Sequence, residues 1–169
     1  METSVILKVT ASSYDSHADT LKKVLNAMKI KTVFEWGPGT STKIMLEDKN
    51  ITHIDTVESD WEYYEMARGF CEDKNRYKLY YDPTLDYEHK QGRLSKYDLI
   101  FIDGCNREIT ILDTLRKMHK ISVVMLHDAE RGWYREPMKR YNYVIKTDNG
   151  HTAVLMNNEE VYKKLKGVL

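Results

Sequence analysis

Cysteine is nearly missing from this 169-residue chain: Cys71 and Cys105 are its only two, 34 positions apart, with no Cys-x-x-Cys pair. That spacing excludes a disulfide framework and argues against a thiolate zinc site, so both read as ordinary reduced thiols. Proline is scarce too. Pro38, Pro83 and Pro137 fall at expected turns or helix starts, and no linker, repeat or low-complexity tract divides the chain. An excess of either charge is absent, because 26 Lys and Arg balance 26 Asp and Glu. The whole-molecule field that draws proteins onto nucleic acid or anionic lipid is therefore lacking, and neither partner is indicated. Long apolar runs are absent as well. Stretches such as residues 122–126 fall far short of the roughly 20 residues of a spanning helix, so no membrane association is expected. Residues 1–10 hold Glu2 and a short Val5-Ile6-Leu7 run without a basic leader, which does not read as a secretion signal and leads to a cytoplasmic expectation.

What remains, 41% apolar and 31% charged residues, is the composition of one globular domain spanning residues 1–169 with a single sizeable core. From a candidate N-cap at Ser13, residues Ala18, Leu21, Val24, Leu25 and Met28 recur at helical spacing. Strand signals follow at residues 32–36, 52–57, 77–81, 97–102 and 121–126, with helical patterns at 41–48, from about Asp60, and at Ile109, Leu112, Leu115 and Met118. Residues 97–102 and 121–126 show almost no polar alternation, as strands of a parallel sheet covered on both faces do. Residues 141–146 and 152–156 flank an Asn149-Gly150 turn signal and predict a closing antiparallel hairpin before a last helix from about Asn158. The sum is an α/β fold: a Rossmann-like, doubly wound, seven-stranded mixed sheet with a C-terminal hairpin and helices on both faces.

The run Glu35-Trp36-Gly37-Pro38-Gly39-Thr40-Ser41 lies between the first strand and its helix, where open α/β sheets bind ligands. Gly37 and Gly39 permit a tight turn and close backbone approach, and Thr40 and Ser41 place hydroxyls at a helix start. Glu58 ends the second strand 23 residues after Glu35, where a carboxylate accepts both hydroxyls of a ribose. A pyrophosphate cofactor calls for a third glycine where Thr42 stands, and Glu35 would oppose its phosphates, so a cationic adenosine ligand fits better.

On these residues the chain resembles the class I S-adenosylmethionine-dependent methyltransferases. Glu35-x-Gly37-x-Gly39 is similar to their first motif, Glu58 to their acidic second motif, and Asp82 stands where the family often contacts adenine. Ile102-Asp103-Gly104 and Leu126-His127-Asp128 resemble strand ends of small-molecule and sugar O-methyltransferases. The resemblance implies S-adenosylmethionine held by Glu35, Gly37, Gly39, Thr40, Ser41, Glu58 and Asp82, and a small-molecule or glycan acceptor. It further implies an acceptor side built from Asp103, His127, Asp128 and Arg131, with Asp103 and Asp128 as ligands of Mg²⁺ where relatives carry one. Asn106 and Ala129 depart from the metal-binding pattern. Asp103 and His127 compete as general base, and Arg107 and Arg131 are orienting groups. Cys105 reads as structural, the many tyrosines as packing groups, and Arg131, Arg135, Lys139 and Arg140 as a basic cluster offset by Glu130 and Glu136. Two other readings stay open: a binding protein for the same cofactor that acts as a sensor or accessory subunit, and a nucleotide or NAD module.

Overall fold

The computed structural model describes residues 17–84 and 94–169. Ser13, Leu85 and Tyr87 lie outside the described residues. Among the described residues, seven strands form one sheet: β1 (Thr32–Trp36), β2 (His53–Glu58), β3 (Tyr77–Tyr81), β4 (Leu99–Ile102), β5 (Val123–His127), β6 (Tyr143–Thr147) and β7 (Thr152–Met156). The α-helices that accompany them are α1 (Ala18–Met28), α2 (Thr40–Glu47), α3 (Trp61–Ala67), α4 (Arg107–Lys117), α5 (Arg135–Met138) and α6 (Glu159–Lys166). The spatial order is β3-β2-β1-β4-β5-β7-β6. All pairs from β3 to β5 are parallel, and β7 runs antiparallel to both β5 and β6.

The sheet divides the core in two, as a doubly wound sheet must when alternate residues of each strand face opposite ways. Val33, Ile54, Phe101, Val123, Met125 and Val154 pack against Leu21, Val24 and Leu25 of α1, Met45 of α2 and Leu165 of α6. Phe34, Trp36, Ile100, Ile102, Val124 and Leu126 face the other way, onto Ile111 of α4 and Met138 of α5. β4, β5 and β7 are buried at every position, whereas the edge strand β6 alternates.

Two helix starts, those of α3 and α6, follow capping side chains. Asp60 Oδ1 accepts from the amides of Glu62 and Tyr63, and Asn158 Oδ1 from that of Val161. Several sequence boundaries shift: β2 runs from His53 to Glu58 rather than over 52–57, β4 starts at Leu99 rather than at residue 97, and β5 runs from Val123 to His127 rather than over 121–126. α3 ends at Ala67, so Cys71 lies beyond it, and β6 runs from Tyr143 to Thr147 rather than from residue 141. The hairpin turn carries three successive positive φ angles, at Asp148, Asn149 and Gly150, which explains why an Asn-Gly pair stands there.

Candidate functional site

Strand order reverses between β1 and β4, and at such a switch point the loops leave a crevice at the C-terminal ends of the strands. Gly37 brings the loop after β1 close against the end of β4. Its φ is +83°, and a Cβ there would lie 2.9 Å from the carbonyl carbon and oxygen of Asp103, so only glycine fits. Gly39 differs: a Cβ added to it would meet nothing within 4 Å, and the space in front of it is open.

Behind the loop, Glu35 is fully buried. Its carboxylate accepts from Ser41 Oγ at 2.5 Å, Thr42 Oγ1 at 2.7 Å and Thr56 Oγ1 at 3.0 Å. Thr42 Oγ1 in turn accepts from the Gly39 amide at 2.9 Å, which ties the glycine turn to the start of α2. Burial pushes Glu35 up to about 7, against the opposing pull of the three hydroxyls. The Ser41 hydroxyl expected to face a ligand is therefore turned inward onto Glu35, while Thr40 is exposed. Motif spacing does not single out Thr56. Its signal is its register position opposite Glu35 on the neighbouring strand.

Glu58 ends β2, and its Oε1 accepts from the amides of Ser59 and Asp60 at 2.6 and 2.8 Å. One oxygen is thus fixed by its own loop, which orients the carboxylate at the crevice. Asp82 is buried and its Oδ1 accepts from the Thr84 hydroxyl at 2.6 Å and the Thr84 amide at 3.2 Å. Trp61 stands over this side, 54% exposed, stacked on Tyr64 and edge-on to Tyr81.

The far side of the crevice is built by β4 and β5. Their register pairs Ile102 with Leu126, which carries Asp103 opposite His127 rather than opposite Asp128. His127 Nδ1 lies 2.9 Å from Asp103 Oδ1. Burial alone would lower the His127 imidazole, and the hydrogen-bonded Asp103 carboxylate overrides it, leaving the ring above its ordinary value. Asp128, in a left-handed conformation, joins Asp103 through Arg107. That guanidinium reaches Asp103 Oδ1 at 2.9 Å and Asp128 Oδ2 at 3.1 Å, and donates to the carbonyls of Asp103, Gly104 and His127. Arg131 donates to Asp128 Oδ2 at 2.7 Å. Cys105 is exposed, and its Sγ lies 3.9 Å from Ser59 Oγ, so the loops after β2 and β4 meet.

These contacts bear on Mg²⁺ at Asp103 and Asp128. A guanidinium occupies the gap between the two carboxylates, and a hard ion there would have to displace a cation already hydrogen-bonded to both. The pair does not fit that metal. One residue near this edge escapes sequence reading altogether: His17, whose ring is edge-to-face with His127 at 4.7 Å and Phe101 at 5.2 Å. Its signal is its place just before α1, four residues before Leu21 and so in line with that helix's apolar stripe.

No family model matches the chain, and no curated protein does. Solved structures match through the fold. Human methyltransferase-like protein 13 in complex with SAH aligns at TM-score 0.63 and 17% identity, over 90% of this chain and 91% of that one. A putative caffeoyl-CoA O-methyltransferase from Staphylococcus aureus aligns at 0.63 and 15%, over 82% and 81%. Spermidine synthase from Thermotoga maritima aligns at 0.62 and 14%, over 86% of this chain and 61% of that one. The sheet and its helices are the fold that these methyltransferases and the synthase share. The chain spans about three fifths of the length of the spermidine synthase it matches. Because a synthase and methyltransferases fit equally well, the likeness defines the scaffold and leaves the transferred group to the site.

Proposed function

We propose that this chain binds S-adenosylmethionine and transfers its methyl group to an oxygen of a small-molecule or glycan acceptor. The observation that carries the reading is the Gly37–Gly39 turn at the strand-order reversal, with Glu58 at the end of the neighbouring β2 and the buried Glu35 network behind the turn. Gly39 leaves room for the ligand, and the second oxygen of Glu58 is the acceptor for ribose hydroxyls. Asp82 borders the adenine side. Glu35 acts from behind the loop, fixing its shape through Ser41 and Thr42, while Thr40 stands at the exposed start of α2.

Across the crevice, Asp103, His127, Asp128 and Arg131 form the acceptor side. In the reaction an acceptor oxygen lone pair attacks the methyl carbon, the carbon–sulfur bond breaks, and S-adenosylhomocysteine leaves. The acceptor proton passes to this edge. Positioning contributes most, because in-line attack on a sulfonium methyl needs no covalent help from the protein. Arg107 holds the edge rigid by spanning Asp103 and Asp128. The test is a turnover screen: methyl donor with mixed hydroxyl acceptors, read as time-dependent S-adenosylhomocysteine. Cofactor binding with no turnover against any acceptor would replace the enzyme reading by the sensor or accessory one.

A further inference from the structure

Three side chains distant in sequence meet beside the acceptor edge. Asp103 and His127 are register neighbours at the ends of β4 and β5, and His17 reaches them from the turn that leads into α1. Thr20 Oγ1, one turn further along, donates to Asp148 Oδ2 at 2.9 Å, which fixes the start of α1 against the β6–β7 turn. A ligand-capable atom from each of His17, Asp103 and His127 lies within 4.8 Å of the other two. The histidines are 2% and 5% exposed, whereas the Asp103 side chain is 23% exposed.

The donor set is two imidazoles and one carboxylate. Imidazole nitrogen suits borderline first-row divalent ions, while Mg²⁺ prefers oxygen alone. Three protein ligands with an open side are also what a catalytic rather than a closed structural ion requires. Arg107 is compatible with this arrangement, although it opposes a cation between the two aspartates. A carboxylate offers about four lone-pair sites, and a ligating carboxylate is commonly held by an outer hydrogen-bond donor. Arg107 supplies that donor at Asp103 Oδ1, the oxygen that also faces His127 Nδ1.

We infer that His17, Asp103 and His127 bind a divalent transition ion of the Zn²⁺ or Mn²⁺ class, at a site that differs in residues and in chemistry from an Asp103–Asp128 magnesium pair. The ion lies next to the acceptor side, so its chemistry would be that of a Lewis acid toward an acceptor oxygen. Binding of the ion itself does not depend on the methyl-donor reading.

The probe is Co²⁺, titrated at pH 8 into the full chain freed of metal by a chelator, and followed by visible d–d absorbance. The expected result is saturable uptake of one equivalent, reversed by Zn²⁺ and unaffected by excess Mg²⁺. His17→Phe keeps a ring against Phe101 and His127 but removes both nitrogens, and affinity should fall by at least about 100-fold. Asp103→Asn and His127→Gln should do the same, and His119→Ala should change nothing. His17→Gln serves as the second variant should His17→Phe not fold by circular dichroism. Co²⁺ uptake that is unchanged in a folded His17 variant, absent from the parent, or displaced by Mg²⁺ overturns the assignment. No methyl donor enters this titration, so failure here and failure of the proposed function are separate results.

Discussion

At the scale of single residues, the most informative group is Glu35, an acid buried among hydroxyls whose value is pushed from 4.5 up to about 7. Between those values the folded chain holds a proton that the unfolded chain has released. Its contribution to stability is therefore greatest below about pH 4.5 and is lost as pH rises through 7, an effect on the order of 3 kcal/mol. Glu35→Gln removes the titration, so its thermal midpoint should fall less than the parent's between pH 5 and pH 8; parallel profiles would reject the buried-acid account. The two loop glycines separate in the same way. Gly37→Ala forces a Cβ against the Asp103 backbone and should destabilise by about 1–3 kcal/mol. Gly39→Val starts from a Cβ that meets nothing within 4 Å and should fold with a near-parental midpoint while losing the cofactor. Denaturant unfolding of both variants, with cofactor titration of the second, checks the contrast.

At the scale of elements, the ends of β4 and β5 are held together by one side chain. Arg107 starts α4 and contacts Asp103, Gly104, His127 and Asp128. Its side chain is 11% exposed, so Arg107→Ala strands two carboxylates and should cost about 3 kcal/mol or more in urea unfolding; a change within about 0.5 kcal/mol, the range of an ordinary surface substitution, would show that the bridge does not contribute to stability. The element pattern also shows what the sequence makes legible. The apolar runs at 97–102 and 121–126 announce buried parallel strands because both faces are covered, although the strands themselves start two residues later, and Asp60 and Asn158 announce helix starts because their side chains cap. The hairpin is legible from Asn149-Gly150. Its insertion, with β7 between β5 and β6, is not, since either strand of a hairpin can join the sheet. Nor is the Asp103–His127 pairing, which depends on a register that no local pattern encodes. The Arg107 bridge and the approach of His17 depend on tertiary packing of α4 and α1, invisible to spacing within either segment. Ser41 illustrates the same limit: its type and position suggest a ligand contact, and a buried carboxylate behind the loop takes its hydroxyl.

At the scale of the whole molecule, the proposed cofactor site joins the two halves of the sheet, since Glu35, Gly37 and Glu58 lie on or just after β1 and β2 and the proposed acceptor side lies at or just after the ends of β4 and β5. A ligand that bridges them stabilises the folded state by mass action, by about 2.7 kcal/mol at 100 times its Kd. For a chain of this size that is a rise of roughly 5–10 °C in Tm. The measurement that tests the central claim most directly is calorimetric titration of S-adenosylmethionine into the full chain, with Glu58→Ala beside the parent. The account predicts one equivalent bound by the parent and at least about a tenfold weaker affinity in the variant, from the loss of charge-assisted bonds to the ribose. A folded parent that takes up no S-adenosylmethionine, or a folded Glu58→Ala that binds it as tightly as the parent, would contradict it.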